Sequence, residues 1–210
     1  MIKGNFITVE GGEGVGKSTN MNFIKLLLEE NKISVVTTRE PGGTQVAEKI
    51  RQLLLENNEE IISDQTELLL MFAARSQHIT QVIQPALLAG HWVLCDRFTD
   101  ATYAYQGGGR GMDISMIEWL EKTVQHGLRP DLTLLLDASI ETGLNRANKR
   151  GKLDRFELEQ QSFFERVRAN YLQRARQRPQ QIKIINADQT LDKVEAEISL
   201  NIQELLASDK

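Results

Sequence analysis

Cysteine is almost missing from this chain: Cys95 is the only one in 210 residues, so no internal disulfide can form. Long apolar runs are missing too, and nothing approaches the roughly 18 or more consecutive apolar residues that a membrane span needs. There is no excess of positive charge. The 25 Lys and Arg against 29 Asp and Glu give a formal net charge of −4, which argues against holding nucleic acid or an anionic membrane by bulk electrostatics. Any anionic ligand must therefore be gripped by locally placed Arg and Lys. Proline is scarce, no Pro/Gly/Ser-rich linker divides the chain, and no internal repeat is visible. The length and a hydrophobic content of 40% fit one compact domain over 1–210. Residues 1–11 carry a single Lys and short apolar stretches, unlike a cleaved targeting segment, so a reducing cytoplasmic setting is expected.

What the chain does have is alternation. Strand-length apolar runs at 6–9, 34–38, 92–95, 132–136 and 182–185 are separated by longer stretches with helical spacing. Those helical stripes include Met21, Ile24, Leu27 and Leu28; Val46, Ile50, Leu53 and Leu54; and Ile117, Leu120 and Val124. The pattern predicts an α/β fold with a parallel sheet of about five strands flanked by helices. Two stretches read as functional loops: 106–111, with four glycines, and 145–155, with five basic residues against one acid.

The segment Gly11-Gly12-Glu13-Gly14-Val15-Gly16-Lys17-Ser18 matches G-x-x-x-x-G-K-[ST], placed between the first apolar run and a helical pattern. Glycines there let backbone N–H groups turn inward around an anion, and the following helix adds the positive end of its dipole. Lys17 can reach the outer phosphates of a nucleoside triphosphate, and Ser18 can ligate Mg²⁺. The chain therefore reads as a three-layer P-loop fold that binds a nucleoside triphosphate. No N-K-x-D tetrapeptide is present, which removes the main support for a GTP switch. Cys95 sits within an apolar run and reads as a small core residue, and His78, His91 and His126 have no metal-ligand spacing.

Further charge lies at the ends of the second and third apolar runs, in the segments around Arg39 and around Asp96 and Arg97. Strand C-terminal ends in such a sheet open on one crevice. Asp137 also ends an apolar run, but the adjacent Arg97 favours Asp96 as the carboxylate near the metal. Taken together, EGGEGVGKST, TREPGGT, MFAAR, the Asp-Arg pair, AYQGGGRG, RPDLTLLLD and KRGKLDR run in order over nearly the whole chain. In that combination the chain resembles the bacterial-type thymidylate kinases.

The resemblance implies transfer of the γ-phosphate of ATP to dTMP, with Mg²⁺, by a homodimer that uses neither nucleic acid nor a membrane. It implies that Gly11 to Ser18 and Arg146 hold ATP, and that Ser18 and Asp96 hold the metal. It assigns Arg39 and Arg97 to the acceptor phosphate, and to the thymine base Phe72 by stacking and Arg75 and Thr102 by hydrogen bonds. Tyr105 lies against the deoxyribose, Gln106 beside it, and Glu13 takes the sugar 3′-hydroxyl. Residues 145–156 correspond to a mobile lid, with Arg150 approaching the transferring phosphate beside Lys17, Asp96 and Arg97. Some relatives carry a basic residue where this chain has Gly14, so the catalytic cation is expected from the lid. Arginine placed at Gly14 is expected to restore part of the rate lost on removing Arg150.

Overall fold

The computed structural model describes residues 4–56, 60–148 and 154–208. Five strands form one parallel sheet: β1 (Phe6–Glu10), β2 (Val35–Arg39), β3 (Trp92–Asp96), β4 (Leu132–Asp137) and β5 (Ile182–Asn186). Their order in space is β2-β3-β1-β4-β5. The chain leaves β1 to one side and returns to the other, so the sheet reverses direction at β1 and leaves a crevice beyond its C-terminal end.

Alternate residues feed two different cores, which is why each strand reads as a near-continuous apolar run. Ile7, Val9, Leu94, Leu134 and Ile185 pack against Ile24 and Leu28 of α1 (Lys17–Glu30) and Ile198 and Ile202 of α9 (Leu191–Ser208). On the opposite face Phe6, Val93 and Cys95 meet the π-helical turn Ile79–Ile83 and α4 (Gln84–Leu88). Leu135 and Ile182 there meet Phe163, Phe164 and Val167 of α8 (Gln161–Gln177). Cys95 is fully buried in this layer.

Two helices add to the walls of the crevice, α2 (Gln45–Leu55) and α3 (Asp64–His78), and α6 (Ile114–Gln125) packs against α3. A short α5 (Thr99–Thr102) runs into a second π-helical turn, Tyr103–Gly109. The expected glycine-rich loop at 106–111 is thus mostly helical and buried. Its glycines serve packing: a Cβ at Gly109 would meet the Phe163 ring at 2.4 Å, and one at Gly108 the Arg166 carbonyl at 2.9 Å. They let the turn lie flat on α8. The expected loop at 145–155 also begins as helix, since α7 (Ile140–Asn148) continues to its fourth residue.

Candidate functional site

Beyond the C-terminal ends of β1, β2 and β3 lies a cavity of about 540 Å³, a volume suited to small-molecule ligands. The phosphate loop forms one end. Gly16, at φ 93°, caps α1 without any side-chain hydrogen bond, so the first amides of the helix keep their capacity for an anion. Gly11 and Gly12 lie slightly behind, and Glu13, Gly14, Val15, Lys17 and Ser18 line the cavity. Lys17 Nζ donates to the carbonyls of Gly12 at 2.7 Å and Gly11 at 3.2 Å. Burial, followed by the nearby Arg97 charge, lowers the pKa of this ammonium, an effect that an arriving phosphate opposes.

Gly14 faces α7 directly. A Cβ on Gly14 would sit 2.0 Å from the Gly143 carbonyl oxygen, and one on Gly143 would sit 2.5 Å from that of Glu13. Gly14 also has φ 68°, a region that side chains rarely adopt. Two glycines therefore allow backbone-to-backbone contact between the phosphate loop and the helix bearing Arg146. The expectation that arginine at Gly14 restores activity is corrected here: the site has no room for a side chain.

Several cations line the same cavity. Arg97, also left-handed at φ 67°, donates to Glu13 Oε1 at 2.5 Å and lies 4.8 Å over the Tyr105 ring. Tyr105 donates to the same Glu13 oxygen at 2.7 Å. Arg39 forks onto Glu48, at 2.8 and 3.2 Å, and remains half exposed. Arg51, which sequence reasoning missed, lines the same cavity and donates to the Pro41 carbonyl at 3.0 Å. It follows Ala47 by one helical turn on the inward stripe of α2, and a cation on such a stripe was the available signal. Burial, then repulsion from Arg39 and Arg97, lowers its pKa.

Arg75 is held by Glu40 at 2.7 Å, by the Phe98 carbonyl at 3.1 Å and by Thr102 Oγ1 at 2.9 Å. Its Nη1 is buried without an acceptor among the described residues, although Arg75 lines the cavity, so one guanidinium nitrogen remains to donate to a ligand. His78 bonds the same Glu40 and Thr38, a core polar cluster. Thr102, Tyr105 and Gln106 line the cavity, and Arg146 reaches it from α7. Phe72 does not. Its ring is 2% exposed, packs with Leu68, Tyr103, Ile117 and Leu120, and carries the Arg75 guanidinium 4.7 Å above it. Arg150 lies outside the described residues.

Asp96 Oδ1 is buried at the cavity with no partner among the described residues, an unusual state for a carboxylate oxygen. Asp137, by contrast, is closed off by a fork from Arg168 at 2.7 and 2.8 Å. The exposed Ser18 hydroxyl opens on the same cavity as Asp96. No group of three His, Cys, Asp or Glu able to hold a metal exists among the described residues. Such a site fits Mg²⁺, which takes one or two protein oxygens and completes its shell with phosphate and water.

Behind Arg97, Glu10 accepts from the Phe98 amide at 2.7 Å and from the Tyr171 hydroxyl at 2.8 Å, tying the backbone just after the left-handed residue to α8. Burial, reinforced by nearby Asp100, raises its pKa from 4.5 to about 8. A carboxyl with a raised folded-state pKa contributes stability below its unfolded pKa and loses it as pH rises through the folded one. The protein is thus expected to lose stability between pH 4.5 and about 8 relative to Glu10→Gln. Melting temperatures of both proteins across that range check this, and a constant difference would contradict it.

Comparison with known proteins agrees with this geometry. Residues 9–198 match the family model described as thymidylate kinase. The chain is 58% identical to the thymidylate kinase of Ectopseudomonas mendocina (strain ymp), over 98% of each chain. It is 55% identical to that of Hahella chejuensis (strain KCTC 2396), over 99% of this chain and all of the other. The crystal structure of thymidylate kinase from Ehrlichia chaffeensis superposes with a TM-score of 0.76 at 33% identity, covering 96% of this chain and 99% of that one. A phosphate loop and a group of arginines lining one cavity, on a chain alike over nearly its whole length, leave one conclusion: the chain belongs to the thymidylate kinase family.

Proposed function

We propose that this chain transfers the γ-phosphate of ATP to dTMP, giving ADP and dTDP. The observation that carries this reading is one cavity lined both by the phosphate loop and by Arg39, Arg51, Arg75 and Arg97. A nucleoside triphosphate on the loop and a nucleoside monophosphate on the arginines would share that cavity and bring the reacting phosphates together. Phosphoryl transfer passes through a loose transition state, so alignment and charge neutralisation are what the protein must supply. The acceptor phosphate oxygen is already ionised at neutral pH, so no general base is needed and no covalent enzyme intermediate forms.

In this reading Lys17 and the loop amides hold the donor phosphates, and Arg146 lies along adenine. Asp96 and Ser18 would hold Mg²⁺, which would offset the charge of the donor phosphates. Arg97 and Arg39 grip the acceptor phosphate, for which guanidinium forks are suited by their parallel donors. Arg51 adds charge in the same cavity. Glu13 already pairs Arg97, so an arriving phosphate takes over part of that pairing and leaves Glu13 to accept from the sugar. Thr102 and Gln106 meet the base edge. Stacking on Phe72 requires the ring to be uncovered from its present packing. Residues 145–156 act as a lid, and Arg150 neutralises the transferring phosphate. We place the reaction in dTTP biosynthesis, in the cytoplasm, in a homodimer; no helix among the described residues is long and apolar enough to cross a membrane. Light scattering on the eluting protein tests the last point, and a monomer at micromolar concentration refutes it.

The direct test uses γ-labelled ATP with dTMP. Label recovered in dTDP supports the reading, and label recovered only as orthophosphate overturns it. Selection against ribonucleotides is expected to rest on Tyr105, whose buried ring would crowd a 2′-hydroxyl and strip its water. Tyr105→Ala should narrow the preference for dTMP over its 2′-hydroxy counterpart by about tenfold or more, the scale of one buried unpaired hydroxyl. Equal losses on both substrates would make the ring packing alone.

A further inference from the structure

Glu67 on α3 is fully buried, does not line the cavity of the candidate site, and accepts from four donor atoms on three residues of two distant segments. Its Oε1 accepts from Gln106 Nε2 at 2.7 Å and from Arg110 Nε at 3.3 Å. Its Oε2 accepts from Arg155 at 2.6 Å and from Arg110 Nη2 at 3.2 Å. Arg155 is fixed in turn by the carbonyl of Leu54 at 2.9 Å, and its guanidinium covers the Phe156 ring at 4.5 Å. Phe156 lines the cavity and meets Tyr105 edge-on at 5.9 Å.

A carboxylate paired with two guanidiniums only accepts hydrogen bonds, so it determines which end of the Gln106 amide faces it. The NH₂ end must turn toward Glu67. Gln106 lines the cavity, and its carbonyl oxygen makes no hydrogen bond with the described residues. The cavity therefore offers a lone acceptor from Gln106 and, from Arg75 Nη1, a lone donor. That pair matches a pyrimidine with an N3–H beside a 4-carbonyl. Cytosine presents the reverse, an N3 acceptor beside a 4-amino donor.

We propose that Glu67, itself out of reach of substrate, is a positioning residue for base selection: it locks the Gln106 amide as an acceptor and thereby disfavours cytosine nucleotides. The proposal rests on Gln106 meeting the base, as read above. A freely rotating amide could present either end and would tolerate both bases, whereas a fixed one leaves cytosine's N3 facing a carbonyl with no proton between them.

Glu67→Gln keeps the volume and removes the acceptor-only charge. It should narrow the ratio of kcat/KM for dTMP over dCMP by at least about tenfold while leaving the KM for ATP unchanged, and Gln106→Ala should narrow it as far. The double variant should be no worse than Gln106→Ala alone, since both act through one amide. Glu67→Asp, which withdraws the carboxylate by one methylene but keeps its charge, carries the same readout if Glu67→Gln fails to fold. An unchanged ratio in the folded Glu67 variant, with the ratio lost in Gln106→Ala, overturns the positioning role. An unchanged ratio in Gln106→Ala overturns instead the reading of Gln106 as a base contact.

Discussion

Arg97→Ala is expected to lose about 10²- to 10³-fold in kcat/KM for dTMP, the scale of removing a preorganised charge donor from a developing charge. Arg97 lies over Tyr105, pairs Glu13 and stands next to Asp96, so its loss leaves the acceptor phosphate short of charge and Glu13 short of its guanidinium. The fold should survive, because Glu10 still holds the Phe98 amide and because alanine tolerates φ 67° at a cost of about 1 to 2 kcal/mol. Lys17→Ala should lose as much, but on the ATP side, since Lys17 already folds onto the phosphate loop. Steady-state kinetics with each substrate varied separates the two. Equal affinity losses for both substrates in both variants would contradict the division of roles.

Arg150→Ala is expected to cut kcat by roughly 10³-fold while changing dTMP affinity little, as a cation acting mainly in the transition state should. The geometry around the site narrows the alternatives. Arg155, otherwise a substitute, is committed to Glu67 and Leu54, and Gly14 faces the Gly143 backbone with no space for a side chain. Lys149 remains as the neighbouring substitute. Gly14→Arg should therefore lower activity by itself and fail to rescue Arg150→Ala. Near-normal turnover of Arg150→Ala at saturating ATP and dTMP would place the catalytic charge elsewhere.

The sheet was legible because its central strands are buried on both faces, so Phe6 to Val9 and Leu132 to Leu136 had to be nearly continuous apolar runs, broken only by Thr8 and Thr133, whose hydroxyls pair at 2.8 Å. The phosphate loop was legible because glycine spacing, a preceding strand and a following helix are local features. Contacts made across the fold were not. Gly108 and Gly109 read as part of a functional loop, yet their missing side chains make room for α8, more than 50 residues away in the chain, and that of Gly107 makes room for Ile114 of α6. Arg51 went unread, because its place one turn after Ala47 on the inward stripe of α2 is only a weak local sign that a long cation turns inward. Glu67, Glu40 and Glu10 gave no sequence signal, since a buried acid is recognised only by the distant partners that stabilise it.

The measurement that bears most directly on the whole account is a coupled assay of ADP release with ATP and Mg²⁺ against dTMP, dUMP, UMP, CMP, AMP, GMP and thymidine. The account predicts that dTMP is the preferred acceptor, with little turnover of the ribonucleotides and none of thymidine, which brings no phosphate to the arginines. Turnover confined to thymidine or to a ribonucleotide, or tight binding of ATP and dTMP with no ADP formed, would contradict it.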